Sequence, residues 1–114
     1  MTSGSRGVWD LVRSRADATP ARVCATDELG RTLTFGDLAA RGERVAAALT
    51  ERGVGPGDAV AWQLPTWIEA LVVMAGCARL GAVQVPLLPI LRERELAVVM
   101  TQVRPTVVLT PVAA

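Results

Sequence analysis

The stretch GDAVAWQLPTWIEALVVMAGCARLGAVQVP, residues 57–86, decides how this chain folds. Gly55-Pro56-Gly57-Asp58 forms a turn, and Ala59 to Leu64 reads as a strand that Pro65 ends. Thr66 can N-cap a helix that starts at Trp67. From Trp67 to Leu80 the only charges are Glu69 near the start and Arg79 near the end, each with the sign that suits a helix dipole. A helix over 67–80 that is apolar on all sides must be covered on all sides, which places it between a sheet and a further layer. Gly81 caps it, and Ala82 to Pro86 makes a second strand. Strand, helix and strand in that order form a βαβ crossover, hence a parallel pair with a right-handed connection.

Downstream, Leu87 to Leu91 is an apolar loop pinned by Pro86 and Pro89. Helix 92–103 comes next, with Leu96, Val99, Met100 and Val103 on one face. Pro105 ends it, and residues 106–110 form a last strand. Upstream, residues 7–18 read as a short helix with Val8, Leu11 and Val12 on one face, stopped at Thr19-Pro20. Strands over 22–26 and 31–34, joined by Asp27-Glu28-Leu29-Gly30, make a β-hairpin. Thr34 and Asp37 form a helix-start signal close to a capping box. Small or apolar residues then recur at Phe35, Leu38, Ala39, Gly42, Val45, Ala46 and Leu49, a helical period that predicts helix 35–52, stopped by Gly53. The class is α/β: an N-terminal hairpin and helix, then βαβαβ, half of a doubly wound, mostly parallel sheet. The order stops after a strand without its helix, which predicts an incomplete domain. No repeat, linker or low-complexity tract interrupts it.

Composition narrows the chemistry. The chain has 114 residues, a net charge of +1 and 51% hydrophobic residues. All of its basic residues are arginine, and it has no histidine and no lysine. That excludes a histidine triad, an imidazole metal site, a lysine Schiff base and a P-loop lysine. Arg13/Arg15, Arg41/Arg44 and Arg92/Arg94 read as solvated helix faces diluted by carboxylates, so no basic stripe for nucleic acid forms. Cys24 and Cys77 show no CxxC pattern and read as reduced, buried thiols of a cytosolic protein. The N-terminus MTSGSRGVWD lacks the apolar core of a signal peptide, and the run Ala70 to Ala78 is too short to span a bilayer. The expectation is a soluble, cytoplasmic chain.

Candidate sites are few. Gly53, Gly55 and Gly57 mimic a phosphate loop but come after a helix and before a strand, the wrong order for helix N–H groups to meet an anion. Ligands of an open α/β sheet sit outside the carboxyl ends of its strands. Here those ends are Leu64-Pro65-Thr66-Trp67 and Pro86-Leu87-Leu88-Pro89. Thr66 either offers its hydroxyl to an anion or serves as an N-cap. Trp62 and Trp67 either flank a planar ligand or pack in the core. Asp27/Glu28 sit in a turn and Glu93/Glu95 at a helix start, so no acid–base pair is evident.

The ordered set of segments from Gly30 to Met100 resembles the start of the adenylate-forming, AMP-binding enzymes, the acyl-CoA synthetases in particular. Members open with a tryptophan helix, then a D-x-x-G-R-x-L-T-Y hairpin-to-helix segment. A GV-x-PGD-x-VA strand leading to LPN comes next, and then RLGAV before a proline-rich loop. Residues 30–38, 53–65 and 79–89 match in order and spacing. Thr66 stands where many members have asparagine. PLLPILREREL, residues 86–96, is closest to ligases of medium-chain, alicyclic or aromatic acids.

The resemblance implies residues 1–114 as a partial N-terminal adenylate-forming domain with no second domain. It implies a scaffold piece of an ATP-dependent acyl-CoA ligase, inactive alone. ATP, magnesium and coenzyme A would serve the complete enzyme, and no cofactor is expected in this chain. The family's phosphate loop, adenine and ribose contacts and catalytic lysine normally lie beyond position 114, so no catalytic, cofactor-binding or metal residue carries over. The implied partner is the remainder of the synthetase or a complementing chain, with self-association through an exposed sheet edge as a further expectation. The alternative is a freestanding small α/β binding or regulatory module without catalysis, which needs helix 67–80 covered by helices 35–52 and 92–103. A remnant of a disrupted gene is the third reading.

Overall fold

In the computed structural model, residues 7–64, 68–87 and 91–110 are described. Helix α1 (Val8–Ala18) leads into an antiparallel hairpin of β1 (Val23–Thr26) and β2 (Thr32–Thr34). Helix α2 (Phe35–Glu51) comes next, then β3 (Ala59–Trp62), α3 (Ile68–Leu80), β4 (Val83–Pro86), α4 (Glu93–Val103) and β5 (Val107–Leu109). The last three strands form one parallel sheet in the order β4-β3-β5, with Ala59 opposite Val83 and Val60 opposite Val107. The expected βαβαβ unit is therefore present, with its first strand at the centre. The connection from β3 to β4 runs one way, and that from β4 to β5 returns past β3. Two connections of one hand that run in opposite directions leave by opposite faces of the sheet.

Local chemistry sets the element ends. Thr34 Oγ1 accepts the Asp37 N–H at 3.0 Å, so α2 starts on the expected cap. Gly53, at φ +90°, takes the left-handed conformation that ends it. At the end of α4, Arg104 holds φ 52° immediately before Pro105, where the adjoining ring disfavours the helical region.

Two apolar clusters share α2 and α3. One joins Val12 and Ala16 of α1, Leu33 of β2, Leu38 and Ala39 of α2, and Ile68, Val72 and Ala75 of α3. The other joins Leu49, Val54, Val60 and Cys77, with Val107 and Leu109 of β5 packed against it. Leu33 is 1% exposed, and burying a leucine side chain contributes about 1.5–3 kcal/mol. The hairpin is thus fastened to the helices through β2.

Three sequence expectations change. The buried stripe of α1 is Val12 and Ala16 with Trp9 packed beside them, while Val8 and Leu11 are exposed. The indole is the largest apolar group on the helix and sets which face turns inward. Helix α3 lies between the helices α1 and α2, met by Ile68, Val72 and Ala75, and the sheet, met by Cys77, as expected, but it is not covered all round: Leu71 and Met74, three residues apart, stay exposed. Helix α4 buries none of its residues, so the face of Leu96, Val99, Met100 and Val103 is at most partly covered among the described elements. Of helices 35–52 and 92–103, α2 packs closely against α3 among the described residues, and α1 joins it there.

Candidate ligand-facing end of the parallel sheet

The carboxyl end of the sheet is built by short tethers from the backbone of β3. Leu87 N–H donates to Trp62 O at 2.8 Å and Gln63 N–H to Leu109 O at 2.9 Å, so the exits of all three strands are held level. The Gln63 amide nitrogen donates to Leu91 O at 3.3 Å, tying the approach to α4 back to the central strand. An open depression of about 1000 Å³ lies along Leu91, Arg92, Glu93, Arg94, Leu96 and Ala97 at the start of α4. Of the two tryptophans named from the sequence, Trp62 is buried at the end of β3, as packing requires. Its indole N–H meets no acceptor among the described residues. Pro65, Thr66, Trp67, Leu88 and Pro89 lie outside the described residues.

The charged chemistry beside this end was not visible in the sequence. Glu69, in the first turn of α3, accepts both outer nitrogens of Arg31 from the hairpin, at 2.7 and 2.9 Å. Arg31 is in turn held by Asp27 through an Nε–H bond of 2.8 Å. The Arg31 hydrogen bonds hold the Glu69 carboxyl below its ordinary value. Burial pushes Asp27 up, but hydrogen bonds from Arg31 and Leu29 outweigh it and the net direction is down. Hydrogen bonds from Glu69 and Asp27 raise Arg31 further above its ordinary value. Glu69 and Arg79 suit the dipole of α3 as read, and both also reach across to other elements. Arg79 pairs with Glu43 of α2 at 2.8 Å and lies over the Trp9 ring. Opposite charges at fixed spacing reveal pairs within one helix, as with Arg13 and Asp17 of α1. Partners 38 positions apart leave no such signal.

The remaining sequence candidates take structural places. Around Gly53, Gly55 and Gly57 the chain turns, with Asp58 Oδ2 accepting the Gly55 N–H at 2.8 Å and Gly57 N–H donating to Gly81 O at 3.0 Å. Glu95 accepts the Arg92 N–H at 2.9 Å and so closes the start of α4. Cys24 and Cys77 are free thiols; Cys24 is only partly buried, short of the expectation, while burial pushes the Cys77 thiol up, away from reactivity. Among the described residues no three His, Cys, Asp or Glu side chains gather as a metal site, and no helix is long and apolar enough to cross a membrane.

The model of the AMP-binding enzyme family matches residues 12–114. The chain is 34% identical over 99 residues to the medium-chain fatty-acid–CoA ligase of Escherichia coli (strain K12), covering 87% of this chain and 18% of the ligase. It is 36% identical over 106 residues to the 2-hydroxy-7-methoxy-5-methyl-1-naphthoate–CoA ligase of Streptomyces carzinostaticus, covering 93% and 19%. Among solved structures, the fatty acyl CoA synthetase of Mycobacterium tuberculosis superposes with a TM-score of 0.86 at 27% identity, over 92% of this chain and 21% of that one. The fatty acid AMP ligase from Legionella pneumophila gives 0.82 at 28% identity, over 92% and 19%. The chain spans about a fifth of the length of these relatives.

Proposed function

This chain belongs to the AMP-binding enzyme family, and from that membership we propose that it is a scaffold segment of an ATP-dependent acyl-CoA ligase. In that reaction a carboxylate attacks the α-phosphorus of ATP, giving an acyl-adenylate and pyrophosphate. The thiol of coenzyme A then takes the acyl group, and AMP leaves. The observation that carries the reading is the match over nearly the whole chain to about a fifth of two CoA ligases. The chain's part is the three-stranded start of a parallel sheet, with its strand exits held level at the end where such sheets receive ligands.

The groups that would meet triphosphate and magnesium belong to the remainder of the enzyme. The chain has no lysine, and the family's phosphate loop and catalytic lysine normally lie beyond position 114. Magnesium, when bound to the complete enzyme, would offset the charge of the phosphates. The resemblance of residues 86–96 to ligases of medium-chain, alicyclic or aromatic acids suggests a substrate of that class.

The test is ATP–pyrophosphate exchange with octanoate and with benzoate. The purified chain alone is expected to give none, and the chain co-expressed with a ligase remainder that supplies the phosphate loop and the catalytic lysine is expected to restore it. Exchange by the chain alone that survives further purification would overturn the scaffold reading.

A further inference from the structure

Asp27, Gly30 and Arg31 belong to the motif that first pointed to the family, yet nothing in the ligase reaction above uses them. Asp27 organises the turn: its Oδ1 accepts the N–H groups of Leu29 and Arg31, each at 3.0 Å. Its carboxyl is almost fully covered, at 4% exposed. Oδ2 then receives Arg31 Nε at 2.8 Å, which fixes the plane of the guanidinium. Nη2 also lies 2.7 Å from Asp27 Oδ2. The two outer nitrogens close on Glu69, Nη1 to Oε2 at 2.7 Å and Nη2 to Oε1 at 2.9 Å. A forked arginine–carboxylate pair sets orientation as well as distance, which a lysine ammonium cannot do. Exposed ion pairs contribute little in general, but bidentate pairs in a network are the exception. Glu69 is the second residue of α3, where the chain enters the helix after leaving the carboxyl end of the central strand.

We propose that Arg31 is a positioning residue: locked by Asp27, it grips Glu69 and fixes the first turn of α3 beside the ligand-facing end of the sheet. The motif is then a clamp built by a turn, with Asp27 setting the arginine and the arginine setting the helix start. The effect on turnover rests on the ligase reading; the effect on local order rests on this geometry alone.

Two measurements separate them. In the chain itself, amide hydrogen exchange is monitored in Arg31→Met and Arg31→Lys, with Arg13→Met as a control that breaks an exposed pair inside α1. Val72 and Val73, the first α3 amides with partners inside the helix, are expected to exchange about fivefold faster in Arg31→Met, with Arg31→Lys between. The amides of Ala78 to Leu80 and the control are expected to be unchanged. No change at Val72 and Val73, or an equal rise along all of α3, would overturn the proposal. In the co-expressed ligase, Arg31→Met is expected to raise KM several-fold with kcat held, the sign of lost binding geometry, with partial rescue in Arg31→Lys. An unchanged KM, or a loss of kcat that only tracks the folded fraction, would limit Arg31 to stability. If the wild-type pair has no activity, the ligase reading fails, and the exchange measurement alone decides the clamp.

Discussion

A Cβ placed on Gly76 would stand 2.5 Å from Val45 Cγ1, 2.7 Å from Val45 Cβ and 3.1 Å from Gly42 O. The nearest atoms are a branched carbon and a backbone oxygen of α2, so the two helices would have to separate. Gly76→Ala gains about 1 kcal/mol of helix propensity and meets an overpacking cost of about 1–3 kcal/mol. The expected net is a loss of about 1 kcal/mol, seen as a lower midpoint in urea. At Gly42 the neighbours are Ala75 Cβ at 3.1 Å and Trp9 Cζ3 at 3.2 Å, which need give only a few tenths of an ångström. Gly42→Ala should therefore cost less than Gly76→Ala, and the opposite order would contradict this packing. A second residue-scale expectation concerns acid. Glu69 is lowered from its ordinary 4.5, so its contribution is present above about that pH and is lost as pH falls through the lower folded value. Asp27, lowered from 3.8, acts in the same direction further into acid. The unfolding midpoint of the wild type should thus fall as pH drops below about 4.5, and Arg31→Met should flatten that fall. An equal acid slope in both proteins would mean that Arg31 is not what lowers these carboxyls.

The α2 start tests the element scale, because its signal is contained in four residues. Thr34→Ala removes the acceptor of the Asp37 N–H and should cost about 1 kcal/mol, read by thermal unfolding. Substitution by serine should restore most of it. What the sequence made legible shares this locality: the cap at Thr34, the hairpin turn at Asp27 to Gly30, and the period of Leu38, Ala39, Gly42, Ala46 and Leu49 each act over a turn or two. The parallel pairing of β3 with β4 was legible too, since a helix of that length leaves few other connections. Longer reach defeated the reading. The face of α1 depends on where Trp9 finds room against α2 and α3, which the spacing of Val8, Leu11 and Val12 does not encode. The candidate site fared likewise: strand exits were located from element order, whereas the Arg31–Glu69 bridge across 38 positions was not.

At the scale of the whole molecule, apolar surface remains where a closed domain would cover it. Leu71 is 36% and Met74 41% exposed on α3, and Val98 of α4 reaches 53%. Strands β4 and β5 flank β3 with no further described neighbour, and Val83 and Val108 on them are 51% and 44% exposed. Unpaired strand edges beside apolar side chains are templates for another chain. The chain alone should therefore self-associate with rising concentration in sedimentation velocity and bind a hydrophobic dye. Val108→Lys places a charge on the β5 edge strand and should shift the distribution toward monomer while leaving the far-ultraviolet circular dichroism unchanged. Co-expression with the ligase remainder should remove both association and dye binding in the wild type, since the strand edges would then be paired and the helix faces covered within one domain. A wild-type chain that stays monomeric, binds no dye and unfolds in one sharp, reversible transition would instead favour a freestanding module. In that case the exposed stripe of α3 would be an ordinary surface, and the scaffold reading would lose its physical basis.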